Sequence, residues 1–510
     1  MTSLLNTLKQ GFNVNKINPL WYLAIGVVTI ALTHMTFSIE VMAWVSSVPF
    51  LIYLSLTQGC KSRLTFFLAL VLAWSLVVTK IISDPIPLML VFLYSIPISL
   101  FHLPGYMIWS TFRNQKYALF LFPVIMIIME WIQYTFTPLA SWGVAAYTMH
   151  DNVSLIQTVS LFGLAGLSFL IYWVNVSIAE IIIRRKTSVS TFQLPLIMLF
   201  LLIAFGSIRY DLSKGIGKDS VTVAAVGTDS KASGLPLPSK ERNEQVKTEF
   251  FKRTRTAANG GAKIISWNEA ATFIMPEDEN EWINSIQELA AELNITLVAS
   301  YVTPISQSPL RYENKYQFID SSGNITHSYL KHQPVPGEPA VQGTSPLKVA
   351  DIKGTKVGAA ICYDYDFPYL AKGYGELGAD MVLLPSSDWR GIDPVHTEMA
   401  AFRAVEQGHS VLRSTRFGLS AAITPYGEMV SQMSSFDDND KIMYSQLPKK
   451  GVTTLYSVIQ DSFVYLCIGF LLSFMVIVSR SKNKSKPLKK MLDLNRNMFV
   501  LLARIKPKLH

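Results

Sequence analysis

Seven long apolar runs crowd the first 210 residues of this chain, and an eighth lies near its C-terminal end. They fall near residues 20–36, 40–57, 64–82, 86–103, 117–136, 157–183 and 191–208, and from about Tyr456 to Val478. A helical crossing of a bilayer needs roughly 17–25 apolar residues, and most of these runs approach that length. The first, at Trp21 to Phe37, is the shortest. A multi-pass α-helical membrane domain of about eight helices is therefore expected. The first run starts late and others follow it, which does not fit a cleavable signal peptide. Half of the residues are hydrophobic and only 16% charged, a balance that suits a membrane protein with a substantial water-soluble part.

Lys and Arg alternate between loops. Lys9 and Lys16 precede the first run, Lys61 and Arg63 follow the second, Arg113 and Lys116 the fourth, and Arg184, Arg185 and Lys186 the sixth. The intervening loops, such as Ser38-Ile39-Glu40 and Ser83-Asp84-Pro85, carry few positive charges. The positive-inside rule then makes the even-numbered loops cytoplasmic, turns the segment after the seventh run outward, and returns the tail to the cytoplasm. That tail, from Ser479, holds ten Lys/Arg against one acid, Asp493, a charge of +9 that equals the formal charge of the whole chain. The basic balance thus reports topology and contact with anionic headgroups, not nucleic-acid binding. Met491 to Arg504 reads as an interfacial amphipathic helix or as a disordered segment.

Three domains follow: a membrane domain over 1–214, an extracytoplasmic domain over 215–450, and the last helix with its tail over 451–510. In the middle domain short β-branched runs alternate with helical stretches. Val221–Val226, Lys263–Trp267 and Ile295–Ser300 read as strands, and Glu241–Ala258 and Glu281–Leu293 as helices. Tyr316–Asp320 and Ile325–Leu330 flank Ser321-Ser322-Gly323-Asn324, a hairpin turn. Lys356–Cys362 and Met381–Leu384 continue the strands, and His396–Gly408 is a helix. The pattern is that of an α/β layered domain with covered sheets. Three ionisable residues fall just past strand ends: Glu269, Lys331 and Cys362. Each has an ordinary explanation as a helix cap, a solvated lysine or a core thiol. Together they are what an acyl-transferring thiol requires: a carboxylate to move the proton and an ammonium for the oxyanion.

In that order and setting, Glu269, Lys331 and Cys362 resemble the Glu-Lys-Cys triad of the nitrilase (carbon–nitrogen hydrolase) superfamily. The combination with seven N-terminal runs and one C-terminal run resembles the apolipoprotein N-acyltransferases. Phe122-Pro123 through Glu130-Trp131, Trp142-Gly143, and Gln157 through Gly163, Gly166, Ser168-Phe169 and Asn175 are similar to that family's membrane segments. Lys331-His332-Gln333-Pro334-Val335-Pro336-Gly337-Glu338 is similar to its lysine loop, Ala359–Tyr363 to its nucleophile strand, and Asp388-Trp389, His396, Arg403–Glu406 and Arg413 to the segment after it. The resemblance implies an α-β-β-α sandwich outside the membrane, a phospholipid acyl donor, an apolipoprotein acceptor, and no metal or cofactor. It assigns catalysis to Glu269, Lys331 and Cys362, with Glu338, Tyr363, Asp364, Trp267 and Trp389 in support. His396 is expected to be a structural residue at a helix start.

Several residues depart from the family pattern. Asn268 replaces a proline before Glu269, which is expected to leave the base's backbone less restrained. Asp364 replaces a Glu, Ser387 an Asn, Arg390 a Phe and Arg416 an Asn, and Gly227-Thr228-Asp229 stands for a Gln-x-Asn element. These changes keep two alternatives open: a membrane-tethered amidase with the same triad, and a non-catalytic membrane scaffold. Phe273-Ile274-Met275 and Phe367-Pro368-Tyr369-Leu370 are candidates for an acyl-chain wall, or plain core.

Overall fold

The computed structural model describes residues 14–84, 86–115, 117–184, 190–213, 219–228, 237–437 and 440–480. The basic tail beyond Arg480, with Met491–Arg504, lies outside the described residues, as do Lys9, Lys116, Arg185, Lys186 and Asp229.

The first two apolar runs form short helices, α1 (Pro19–Ala31) and α2 (Val48–Leu56). Pro19 and Pro49 explain where they begin. A proline has no N–H to give and costs least in a helix's first turn, where that N–H would have no partner in the helix. A separate 3-10 turn, Glu40–Trp44, takes up the start of the second run. The following helices are α3 (Cys60–Thr79), α4 (Leu90–Phe112), α5 (Ala118–Phe136), the single turn α6 (Val153–Ile156), α7 (Val159–Arg184) and α8 (Ser190–Ser213). With the last helix, Ser462–Arg480, six described helices are long and apolar enough to cross a membrane. The count of about eight is reached only by adding α1 and α2.

Buried polar side chains hold the loops onto this bundle. Glu130 Oε1 accepts from Tyr172 Oη at 2.7 Å and from the Ala145 N–H at 3.0 Å. Asn175 accepts from the Ser47 N–H at 2.8 Å and donates to the Ala43 carbonyl at 2.7 Å. In an apolar surround such bonds matter chiefly because the unpaired group would bear its full desolvation cost.

The second part contains two six-stranded sheets. In chain order its elements are β1 (Ser220–Val226), α9 (Lys240–Asn259), β2 (Ile264–Trp267), α10 (Glu279–Leu293), β3 (Thr296–Gln307), β4 (Leu310–Ile319), β5 (Ile325–Leu330), β6 (Val349–Ile352), β7 (Thr355–Ala359), α11 (Pro368–Glu376), β8 (Met381–Ser387), α12 (Val395–Gln407), β9 (Ser410–Arg416), β10 (Leu419–Ile423), β11 (Met429–Ser434) and β12 (Ile442–Pro448). A short α13 (Leu455–Ile459) leads into the last helix, α14 (Ser462–Arg480). The strand orders are β12-β1-β2-β3-β4-β5 and β11-β10-β9-β8-β7-β6. Each sheet has a parallel centre, β1-β2-β3 and β7-β8-β9, flanked by antiparallel strands.

The sheets pack face to face through Val223, Ile264, Val298 and Phe318 on one side and Val357, Met381, Leu412 and Ala422 on the other. Helices α9 and α10 cover the first sheet's outer face, with Phe250, Trp267 and Trp282 between them. The second sheet's outer face is covered by α11 and α12 through Ala371, Ala400, Ala401 and Ala404. Helix α12 is buried on its other side as well. Val395, Met399, Phe402 and Val405, spaced along one helical stripe, join the hydrophobic core of the membrane bundle. The result is an α-β-β-α sandwich whose α12 layer is shared with the membrane part, so the ends of β2, β5, β7 and β8 open toward that junction.

Candidate active site

The apolar run before Cys362 is expected to be strand up to the thiol, but β7 ends at Ala359. Cys362 instead opens a 3-10 turn, Cys362–Asp366, with φ of +49°. That left-handed backbone is unusual for a residue with a side chain and marks a sharp change of chain direction. Asp364 holds the turn. Its carboxylate accepts from the Ile361 N–H at 3.1 Å, Tyr329 Oη at 2.8 Å and the Gln333 N–H at 2.6 Å, tying the nucleophile turn to the lysine loop. Burial pushes the Asp364 pKa up to about 7, against the pull of Lys331.

Lys331 follows β5 and is buried. Its Nζ lies 2.7 Å from Glu269 Oε1 and 2.8 Å from Glu338 Oε2. Asn314, in the middle of β4, donates from one Nδ2 to Glu269 at 2.7 Å and to Glu338 at 3.1 Å. Two carboxylates thus grip one ammonium, with one amide bridging them. Glu338 also accepts from the Val335 N–H at 2.9 Å, which closes the loop back on itself. Asn268 supplies the restraint that the missing proline does not. Its side chain accepts from the Thr228 N–H at 3.1 Å and donates to the Glu269 carbonyl at 2.9 Å, and its own carbonyl accepts from Ser300 Oγ. The backbone of Glu269 is therefore fixed, not loosened.

The electrostatics follow from burial and pairing. Burial works to lower the Lys331 pKa, but Glu269 and Glu338 outweigh it and hold the ammonium well above the ordinary lysine value. Glu338 is held below the ordinary carboxyl value, because Lys331 and the surrounding N–H donors overcome its burial. The Cys362 thiol is pushed well above its ordinary value by burial and then by Glu269, with Lys331 acting the other way. The resting sulfur is a thiol, 3.6 Å from the Ser387 carbonyl, so attack by this residue needs a base.

Cys362, Ser387, Trp389 and His396 line a cavity of about 80 Å³ together with Val78, Ile81, Leu90 and Tyr94 from α3, α4 and their linker, Met35 and Leu139 from other membrane loops, and Val335 from the lysine loop. Loops of the membrane part grip the same residues. Trp389 Nε1 donates to the Ile81 carbonyl at 2.7 Å, the Gly391 N–H to Ser83 Oγ at 2.8 Å, and Tyr363 Oη to the Pro138 carbonyl at 2.6 Å.

The structure thus brings together Glu269, Lys331, Cys362 and Glu338, with Asp364, Tyr363 and Trp389 around them. It does not bring Trp267, which is buried beside Phe250 and Trp282 and donates to Thr254 Oγ1 at 2.9 Å. Trp267, the last residue of β2, turns its ring to the outer helices, whereas Glu269 lies two residues past the strand's end, where the alternation no longer sets its direction. Phe273 and Ile274 are core of the sandwich, and Phe367 and Leu370 pack on the membrane bundle. The cavity's apolar wall is made by α3 and α4 instead. Two of the departures face each other: Arg416 Nε donates to Ser387 Oγ at 2.8 Å. Arg390 lies over the Phe436 ring at 4.2 Å, outside the cavity lining.

Sequence reasoning missed Asn314 and Asp366. A lone Asn between Tyr312 and Tyr316 on the buried face of β4 was the available signal. Cys362 Sγ, an Asp388 oxygen and a His396 ring nitrogen lie within 4.8 Å of one another. Arg413, however, occupies both Asp388 oxygens, at 2.8 and 2.9 Å, so the cluster already holds its cation and is a poor set of metal ligands.

The family model for carbon-nitrogen hydrolase matches residues 222–455, and that for the apolipoprotein N-acyltransferase N-terminal domain matches residues 26–177. Among curated proteins, the apolipoprotein N-acyltransferase of Borreliella burgdorferi is 26% identical over 64% of this chain and 69% of its own length. That of Rickettsia bellii is 24% identical over 74% and 82%, and that of Geobacter metallireducens 23% over 87% and 92%. Among solved structures, an amidase from Nesterenkonia sp. aligns with a TM-score of 0.38 at 18% identity, over 48% of this chain and 95% of that one. One family model runs from α1 into α7, the other spans the sandwich, and the curated relatives run through both: the chain belongs to the apolipoprotein N-acyltransferase family of the carbon–nitrogen hydrolase superfamily.

Proposed function

We propose that the protein transfers a fatty acyl group from a phospholipid, through a thioester on Cys362, to the N-terminal amine of an S-diacylglyceryl-cysteine apolipoprotein. The observation that carries this reading is the shared cavity: the thiol opens onto a wall of side chains from the membrane part, an apolar surface suited to a lipid ester. A water-soluble amide would have no use for that wall, which disfavours the amidase reading.

In the first half-reaction Glu269 takes the Cys362 proton as the sulfur attacks the ester carbonyl. The oxyanion is stabilised by Lys331 and by the backbone N–H after Cys362. The carbonyl reforms, the C–O bond breaks, and the lysophospholipid leaves with the proton from Glu269. In the second half the amine attacks the thioester, Glu269 takes its proton, and the amide forms as the sulfur departs and is reprotonated. Glu338 and Asn314 keep Lys331 and Glu269 in register throughout.

The protein is one of the bacterial inner membrane. On this reading residues 1–214 form the membrane domain, residues 215–450 the catalytic domain on the periplasmic face, and residues 451–510 the last helix and a cytoplasmic tail; the alternation of Lys and Arg between loops supports that orientation. The test is the intact mass of the purified protein after incubation with phospholipid, beside Cys362→Ala. A hydroxylamine-sensitive acyl adduct on the wild type alone is the expected result. No adduct from folded, lipid-reconstituted protein would overturn the reading.

A further inference from the structure

A run of alternating charges lies under the nucleophile turn, and the reaction above does not use it. Asp366 closes the turn that Cys362 opens. Its carboxylate accepts from Trp142 Nε1 at 2.8 Å, and its carbonyl from Ser141 Oγ at 2.6 Å, both from the loop after α5. His396 Nε2 lies 2.9 Å from Asp366 Oδ1, and His396 Nδ1 lies 2.7 Å from Asp388 Oδ1. Arg413 completes the series on Asp388. Asp366, His396, Asp388 and Arg413 are each at most 6% exposed.

We propose that His396 is a positioning residue for Cys362: its imidazolium, clamped between Asp366 and Asp388, locks the nucleophile turn to the end of β8 and adds a cation near the thiol to those of Lys331, Arg413 and Arg416. The proposal rests on Cys362 being the nucleophile. It involves no bond to His396; the thiol proton still goes to Glu269. Two independent observations support it. The geometry joins three separate segments (the turn, the end of β8 and the membrane loop) at one ring, and that ring lines the cavity beside Cys362. The charge balance of the cluster agrees with it. Asp366 and Asp388 with His396 and Arg413 sum to zero, whereas without the imidazolium one buried negative charge remains beside a sulfur that must become negative. Burial opposes the charge on His396, and so does Arg413, whose Nη2 lies 2.9 Å from Nδ1. The two carboxylates outweigh both and push its pKa up to about 9.

The groups facing His396 are Asp366 from the turn, Asp388 from the end of β8, Arg413 from β9 and Cys362 itself, with the Trp142 ring 5.6 Å away. The test is the rate of Cys362 alkylation by iodoacetamide against pH, followed by intact mass in full-length protein held in detergent free of phospholipid, with Cys60 and Cys467 replaced by Ser. His396→Gln should slow alkylation about tenfold near neutral pH and move its midpoint about one unit higher. His396→Lys, which restores the charge without the ring, should recover most of the rate. Equal losses in both variants, or a wild-type midpoint in folded His396→Gln, would overturn the proposal. Should His396→Gln fail to fold, Trp142→Phe removes the far hydrogen bond to Asp366 while keeping an aromatic ring beside His396. It should slow alkylation about threefold, and an unchanged rate would count equally against the idea. Alkylation needs no phospholipid, so a missing acyl adduct would sink the proposed function and leave this result standing.

Discussion

Lys331 is the residue on which the site's charges balance. Lys331→Met leaves Glu269 and Glu338 facing each other with only Asn314 between them, and removes the cation proposed for the oxyanion. We expect thioester formation in single-turnover intact-mass experiments to fall by about 10²–10³-fold. Asn314→Ala deprives both carboxylates of a donor in a buried setting. It should cost about 1–3 kcal/mol of stability in thermal unfolding and slow the same half-reaction. His396 gives a pH signature. Its pKa in the fold is about 9, above the ordinary imidazole value near 6.5. The stabilisation it supplies is therefore whole below about pH 6.5 and is lost as pH rises through about 9. The melting temperature of the wild type should fall across that window and that of His396→Gln should stay flatter; parallel curves would refute the assignment. Of these residues the triad was legible, because a thiol, an ammonium and a carboxylate each followed a strand-like run. Asn314 was not, since an amide's worth depends on which carboxylates the fold sets beside it.

At the scale of elements, α12 carries the junction between the two parts. Arg403 and Glu406, one turn apart and both buried, pair at 2.5 Å. Glu406 Oε1 also accepts from the Leu164 N–H at 2.8 Å, at the break in α7 where Phe162 and Gly163 leave helical geometry. Removing one member of a buried pair strands the other, at about 3–5 kcal/mol. Glu406→Ala is accordingly expected to lower the melting temperature far more than Arg403 and Glu406 exchanged together for Met and Leu. Gly163 has φ of +63°, and a Cβ there would meet the Tyr456 ring at 2.5 Å. Gly163→Ala should therefore destabilise the seat of α13 on α7, seen as a lower melting temperature. Most strands and helices of the sandwich were readable from their period. The strand of Cys362 was misjudged by three residues, because an apolar run cannot reveal where the backbone turns while its side chains remain buried. β6, β9–β12 and α11 went unread, because polar and charged residues such as Arg413 and Arg416 interrupt their apolar pattern.

For the whole molecule, the proposed orientation makes a labelling prediction. Cys60, exposed at the start of α3, would face the cytoplasm, and exposed Ser322, in the β4–β5 turn, the periplasm. With Cys467→Ser, a membrane-impermeant maleimide on intact spheroplasts should label Ser322→Cys and spare Cys60 until the membrane is opened; the reverse pattern would reject the orientation. The sequence by itself determined that the chain is a membrane bundle joined to a layered α/β domain. Hydrophobic length and period are local properties, and burying them leaves few alternatives. It also marked Glu269, Lys331 and Cys362, since motif order survives in one dimension. Only the tertiary structure decided that two apolar runs stop short, that Trp267 turns away, that Asn268 does a proline's work, and that α3 and α4 wall the cavity. Those outcomes depend on which side of a strand faces which neighbour and on how far a loop reaches. Both are set by packing between segments hundreds of residues apart, such as Trp389 against Ile81.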